Sequence, residues 1–256
     1  MDWSRAKTVL IISFLLLNML LGFQLWSGKI GLDAYSEAGL RREEANRLLA
    51  AKRIEVNAAV PDTMPRLKEI TVKLIGGIPS FEKKRLKSPF DENLLSSAAD
   101  IRGLLVGEMP SIRMYEHDPY AANGDRAVYI MNQMYNGMPM FEVRVELFAV
   151  GGSVDAYRML QAEVQTPSPD ADTSGKGEEI LSAYTVLGSL AENYLPQGSV
   201  ITDIQLGYHG PIFESETQVL APYWRVALGS GELYYVHAIN GAVEGPSMAG
   251  RDAESK

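Results

Sequence analysis

The sequence has no cysteine and only three histidines in 256 residues. Without thiols there is no disulfide, no thiol nucleophile, no Cys-ligated zinc and no lipid-modified N-terminal cysteine, so any folded part rests on hydrophobic cores. The histidines lie far apart: His117 in YEHDPY, His209 in GYHGP and His237 in YYVHAIN. A three-histidine metal site would need three distant elements to converge. No HExxH, G-x-S-x-G or phosphate-loop pattern occurs, and no cofactor is expected. Positive charge is also in deficit. Formal net charge is −8, and beyond Trp26 there are 22 basic against 31 acidic residues. A surface of that sign repels nucleic acid and other polyanions.

What is present starts at the N-terminus, MDWSRAKTVLIISFLLLNMLLGFQLWSGKI. From Thr8 to Trp26 no side chain is charged. At ~1.5 Å per residue, a helix of this length spans roughly the ~30 Å hydrocarbon layer. A secretory apolar core is shorter and ends at an A-x-A-like site, whereas Trp26-Ser27-Gly28-Lys29-Ile30 follows here. The segment reads as an uncleaved single-pass anchor over 8–26. Arg5 and Lys7 keep the tail, 1–7, cytoplasmic and place the C-terminal part outside the cell. Trp3 and Trp26 stand near the two membrane–water boundaries. Ile11, Leu15, Asn18, Gly22 and Leu25 fall on one helical stripe, where an amide beside a small residue suits packing against another membrane helix.

Residues 27–52 read as a juxtamembrane helix or stalk, charged and alanine-rich with a thin Leu40/Leu48/Leu49 stripe. Arg53–Val60 and Glu69–Ile75 read as strands. A helix is expected from Ser88-Pro89-Phe90-Asp91, which has the grammar of an N-cap, through Leu94, Ala98, Ile101 and Leu105 to Gly107. Strands Ile112–Glu116, Arg126–Tyr135 and Met140–Val150 follow, the last two joined by the turn Asn136-Gly137. The pattern recurs about 90 residues later, with a helix over Glu178–Tyr194, then strands Val200–Leu206, Val219–Leu228 and Glu232–Ile239, and Gly229-Ser230-Gly231 as a turn. The fold class is therefore α+β: a transmembrane helix, then two consecutive helix-plus-antiparallel-sheet units. Their expected bounds are 53–165 and 178–245, with a linker loop over 166–177 and a disordered tail over 246–256.

Chemistry is sparse. Asp170-Ala171-Asp172-Thr173-Ser174-Gly175 resembles the start of a calcium loop, but Leu181 stands where the bidentate Glu belongs, so a solvated linker is the better reading. Adjacent carboxylates such as Glu43/Glu44 and Glu178/Glu179 do not face one another on a helix. The aromatics Tyr223, Trp224, Tyr234 and Tyr235 read first as sheet packing and second as an extracellular partner surface.

Several segments together resemble one family: the MDWS start with its single anchor, GGIPSF (76–81), GLLVGEMPSIRMYE (103–116), QMYNGMPMFEV (133–143), EILSAYTVLGSLAENYLPQGSVI (179–201), LGY (206–208), PYWRV (222–226) and YYVHAINGAVE (234–244). They resemble the YycI family, and the last hairpin, WRVALGSGELYYVHAINGAVE, is also similar to a PepSY module. The resemblance implies a non-enzymatic regulator. Its expected partners are a YycH-like protein and the YycG (WalK) sensor histidine kinase of cell-wall metabolism. Contacts through the membrane helix and the outer part are implied, in a homo- or hetero-dimer. The alternative is an extracellular PepSY-type binding or protease-inhibitory module.

Overall fold

The computed structural model describes residues 3–27, 32–79, 82–96, 98–121, 128–165 and 177–248; within these, the side chains of 3–6, 8–9, 22–27, 32–38, 98–100 and 246–248 lie outside the description. Two helices come first, α1 (Trp3–Ser27) and α2 (Leu32–Ala51). Short strands β1 (Glu55–Val56) and β2 (Arg66–Leu67) precede β3 (Ile70–Leu74), whose alternation buries Ile70, Val72 and Leu74. The next stretch holds β4 (Lys84–Asp91), α3 (Ala98–Leu105), β5 (Tyr115–His117), β6 (Tyr129–Tyr135), β7 (Met138–Val150), β8 (Ser153–Met159) and β9 (Ala162–Val164). The last holds β10 (Glu178–Glu179), α4 (Ala183–Asn193), β11 (Val200–His209), β12 (Thr217–Leu228), β13 (Glu232–His237) and β14 (Val243–Met248).

The architecture is mixed α+β, with one large sheet and few helices. Among the described residues twelve strands share the sheet, whose main path runs β14-β13-β12-β11-β7-β6-β5, while β10 pairs with β2 apart from it. The two helix-and-sheet stretches therefore meet edge to edge, through a parallel contact of β11 with β7 at Tyr208 and Met140. The residues before the first stretch pair with the second: β1 lies parallel to β11, and β3 pairs with the outer end of β12.

Three cores form. In the first, α4 turns Val186, Leu187, Leu190 and Ala191 onto Trp224, Val226, Tyr234 and Val236 of the sheet, with Leu49 of α2 joining from the side. Each buried Val or Leu side chain among them contributes about 1.5–3 kcal/mol. The Gly188 position lets α2 approach closely, its hydrogen facing Ala45 where a Cβ would stand 3.6 Å away. The second core packs Ile101 and Leu105 of α3 on Tyr115, Met131, Val145 and Leu147. The third joins β3 to Met140, Val143, Tyr208 and Leu220.

Local grammar misleads at four places. Ser88-Pro89-Phe90-Asp91 is not a helix start but the end of β4, where Phe90 pairs with Val154 and Asp91 with Ser153. Pro89 sits in the irregular stretch of that ladder, where its missing N–H removes no bond. Asp91 still caps, accepting from Asn93 N at 2.8 Å in a short 3₁₀ turn ahead of α3. The second helix starts at Ala183 instead of Glu178, because Ser182 is extended and its hydroxyl accepts from Thr185 N at 3.1 Å. Glu178 and Glu179 instead pair with Leu67 and Arg66. Pro110 opens another 3₁₀ turn, so the strand expected from Ile112 begins at Tyr115. Finally, β14 extends the last sheet to Met248, three residues into the expected tail. The linker over 166–176, with its calcium-like segment, and residues 249–256 lie outside the described residues.

Among the described residues no helix is long and apolar enough to cross a membrane. Every α1 side chain from Leu10 through Leu21 is exposed, Ile11, Leu15 and Asn18 included. Lys7 is exposed too. The side chains of Trp3, Arg5, Gly22, Leu25 and Trp26 lie outside the described ones.

Candidate functional site

Alternation along β12 sends Trp224, Val226 and Leu228 toward α4 and leaves Tyr223 and Arg225 on the other face. Arg225 stands opposite Gln205 of β11 and Tyr235 of β13. That face is covered by the first stretch. The β6–β7 register jumps from Asn132·Arg144 to Gln133·Met140, which leaves Phe141, Glu142 and Val143 outside the ladder. This irregularity re-aims the strand. The Phe141 ring lies under the Arg225 guanidinium, 4.6 Å from its centroid, and meets Tyr235 edge to face at 5.6 Å. Gly207 permits the approach: a Cβ there would come within 2.6 Å of the ring and of the Pro139 carbonyl oxygen.

Arg225 is 1 % exposed and Asp118 6 %. Its Nη1 and Nη2 donate to the two oxygens of Asp118, the Nη2 bond being 3.0 Å long. Nη2 also donates to Asp203 at 3.2 Å and to Gln205 Oε1 at 3.0 Å. Asn132 Nδ2 and the Tyr120 N–H complete the shell around Asp118. A bidentate guanidinium–carboxylate pair with additional hydrogen bonds is the geometry that makes a buried charge pair tolerable. Burial pushes the Asp203 carboxyl up, and the Arg225 guanidinium partly offsets that.

A second cluster adjoins it. His209 Nδ1 faces Glu142 of β7, and Nε2 lies 3.2 Å from Glu244 of β14. A neutral imidazole offers one donor and one acceptor, so only the imidazolium serves both carboxylates. Burial alone would depress the His209 pKa, but the hydrogen bond and charge of Glu142, followed by Glu244, raise it above its ordinary value. The ring stacks on Tyr235 at 4.0 Å and meets Tyr223 edge-on at 4.9 Å. Tyr223 Oη donates to Glu244 at 2.5 Å, and burial with that carboxylate pushes its hydroxyl pKa up.

The four aromatic residues read first as sheet packing and second as a partner surface divide between the two faces of the sheet. Trp224 and Tyr234 are core residues under α4, Trp224 donating from Nε1 to the Leu181 carbonyl at 2.9 Å. Tyr223 is buried and Tyr235 half-buried in the junction. Neither Arg225 and Asp118 nor His209 with its two glutamates stood out as a set in the sequence. The available signal was an arginine in the middle of the apolar run PYWRVAL. An open cleft of 290 Å³ lies beside the Asp118 pair, lined by Glu116, Asn132, Met134, Asp203 and their neighbours. Among the described residues, no group of three or more His, Asp or Glu is placed to hold a metal ion. What the junction can do chemically is recognise and hold: it ties two stretches of sheet together with charge and leaves a polar cleft at their seam. Over residues 62–239 the chain matches the family model described as YycI protein. No curated protein matches it.

Proposed function

This chain belongs to the YycI family, and from that premise we propose that it is a non-enzymatic, membrane-anchored regulator of the YycG (WalK) sensor histidine kinase, acting beside a YycH-like protein. The family match, which spans both sheet stretches, carries the reading. The exposed apolar run Leu10–Leu21 supports an anchor in lipid, since such a run in water would be an unusually large bare apolar surface. The N-terminus is then cytoplasmic and the sheet extracellular. Trp3, Arg5, Lys7 and Trp26 flank the span, and the stripe Ile11, Leu15, Asn18, Gly22, Leu25 is the surface offered to a neighbouring helix.

The fold supplies a mechanical link for this proposal. Four residues separate α1 from α2, and α2 packs on α4 through Ala45, Leu48 and Leu49. On this proposal, a bias applied to α1 is carried by α2 to the first core. A coupling free energy of about 1–3 kcal/mol is enough to change a kinase's active fraction severalfold.

Exchange of residues 8–26 for an unrelated apolar helix of equal length tests this. Membrane retention with loss of kinase control, read on a kinase-dependent reporter, is the expected result. Unchanged reporter output would sink helix-mediated coupling. Restored control by residues 32–256 supplied without the anchor would instead favour the PepSY-type binding module.

A further inference from the structure

The cleft at the seam of the sheet is more specific than a surface dimple. Three of its side chains are carboxylates, Glu116, Asp118 and Asp203. The adjacent Arg225 supplies one guanidinium, which bridges Asp118 and Asp203, so the three carboxylates keep a formal excess of two negative charges. His117 is also at the cleft, and partial burial lowers its pKa against the opposing pull of Asp118.

The second observation is independent of charge. Asn132, cross-strand partner of Glu116 on the neighbouring strand, is 2 % exposed and lines the cleft. Its amide Nδ2 donates to Asp118, which fixes the orientation of the amide, since reversal would set Oδ1 against a carboxylate oxygen. The Oδ1 so fixed is buried and meets no donor among the described residues. A buried acceptor without a donor is rare in folded proteins and costs free energy until a donor reaches it. Of the remaining lining, Gln205 is polar and Pro119, Tyr120, Met134, Pro139 and Ile204 are apolar or aromatic, with Met134 half-buried and Tyr120 40 % exposed. Acceptors and negative charge together with thioether and aromatic surface form a site for a cation that carries a hydrocarbon body.

We propose that this cleft binds a small organic cation: a primary ammonium whose N–H groups serve Asp203, Glu116 and the Asn132 carbonyl, with a short alkyl body resting on Met134 and Tyr120. A guest of that kind would bridge β5 and β6 of the first stretch to β11 of the second. The proposal does not depend on kinase control, because binding is a property of the chain alone and is read without the kinase.

The test uses the full chain in neutral-detergent micelles, labelled with ¹³C at its methionine methyls. The Met134 resonance is identified by its loss in Met134→Leu. Butylammonium should shift that resonance saturably, and the methyl of Met131, fully buried in the second core, should stay in place. Butan-1-ol, butyrate and calcium should each leave Met134 unmoved at the same concentrations. Glu116→Gln should weaken binding several-fold, and Asp203→Asn roughly tenfold, as expected when a hydrogen bond to a charged group is lost. Glu116 is exposed, so its variant keeps the test valid should Asp203→Asn fail to fold. A silent Met134, an equal response to butan-1-ol or to calcium, or unchanged affinity in Glu116→Gln would each overturn the proposal.

Discussion

The two faces of β12 share a backbone and differ in nearly everything else. Toward α4, Trp224, Val226 and Leu228 enter an apolar core, where the indole N–H donates to the Leu181 carbonyl. Toward β7, Arg225 and Tyr223 enter a network whose members come from β5, β6, β11 and β14 and their loops. The first face is held by area removed from water, which is non-directional and forgiving of shape. The second is held by directed bonds between charges that have lost their water, so each partner exists on condition of the others. One strand thus carries a tolerant side and a conditional side, and the conditional side is the one that joins the two stretches of sheet.

The sharpest way to break the comparison is to remove one partner on each face. Asp118→Ala leaves the Arg225 guanidinium, 1 % exposed, with only Asp203 and Gln205. Stranding a buried charge in this way costs about 3–5 kcal/mol. Leu187→Met on the α4 side, a volume-conserving exchange, should cost less than about 1.5 kcal/mol. Urea unfolding of both variants checks the ranking. The double variant Asp118→Leu/Arg225→Met should recover much of the loss, since a pair replaced by apolar groups leaves no orphan. Equal losses for Asp118→Ala and Leu187→Met would mean that the guanidinium finds water, and the conditional reading would fail.

A smaller effect is expected where the two stretches touch without charge. At Gly207 an added methyl would stand 2.6 Å from the Phe141 ring and from a main-chain carbonyl, and backbone cannot rotate away as a side chain can. Gly207→Ala should therefore cost about 1–3 kcal/mol, the usual penalty of overpacking. Combined with Phe141→Leu, its cost should fall, because the two changes share one contact and are not additive. A double-mutant cycle on unfolding free energies measures this. Strict additivity would place the strain on Pro139 alone.

Much of the tolerant face was legible in the sequence, and little of the conditional one. Helical spacing puts Leu187 and Ala191 on one face with Tyr184 and Tyr194; the structure buries the first two, leaves Tyr194 exposed and adds Val186 and Leu190. Asn136-Gly137 marks the β6–β7 turn because both residues take positive φ, 50° and 76°. These are signals whose physics is contained within a few residues. The Ser88–Asp91 misreading has the same root: its capping grammar is local, whereas the β8 partner that makes it a strand lies more than 60 residues away. Asp118 and Arg225 are separated by 107 positions, and His209 and Glu142 by 67. No periodicity links such residues, so the seam could be found only once the β7 irregularity had brought Phe141 and Glu142 across. The alternation of Phe141, Val143, Val145 and Leu147 is real in burial, yet those four residues serve three different environments.

The smallest expected effect concerns the sign of a pH dependence on the conditional face. His209 is met by Glu142 from β7, by Glu244 from β14, by Tyr223 from β12 and by Tyr235 from β13, while His237 touches the Tyr223 ring and Glu69 adds negative charge nearby. Both carboxylates favour the imidazolium, so the folded pKa lies above the unfolded value of about 6.5. A group shifted in that direction contributes stability that is fully present below the unfolded pKa and is lost as pH rises through the folded one. His209→Gln keeps one amide donor and loses the charge, and should cost about 1 kcal/mol at about pH 6, where an ordinary hydrogen bond is the scale of the loss. The gap between the native chain and the variant should then narrow steadily toward alkaline pH, while Leu187→Met shows a constant gap across the same range. Unfolding free energies at a series of pH values decide between the two. A His209→Gln gap that stayed flat would mean a neutral imidazole serving a single carboxylate, and β14 would then be tied to the seam by the Tyr223–Glu244 bond and not by charge.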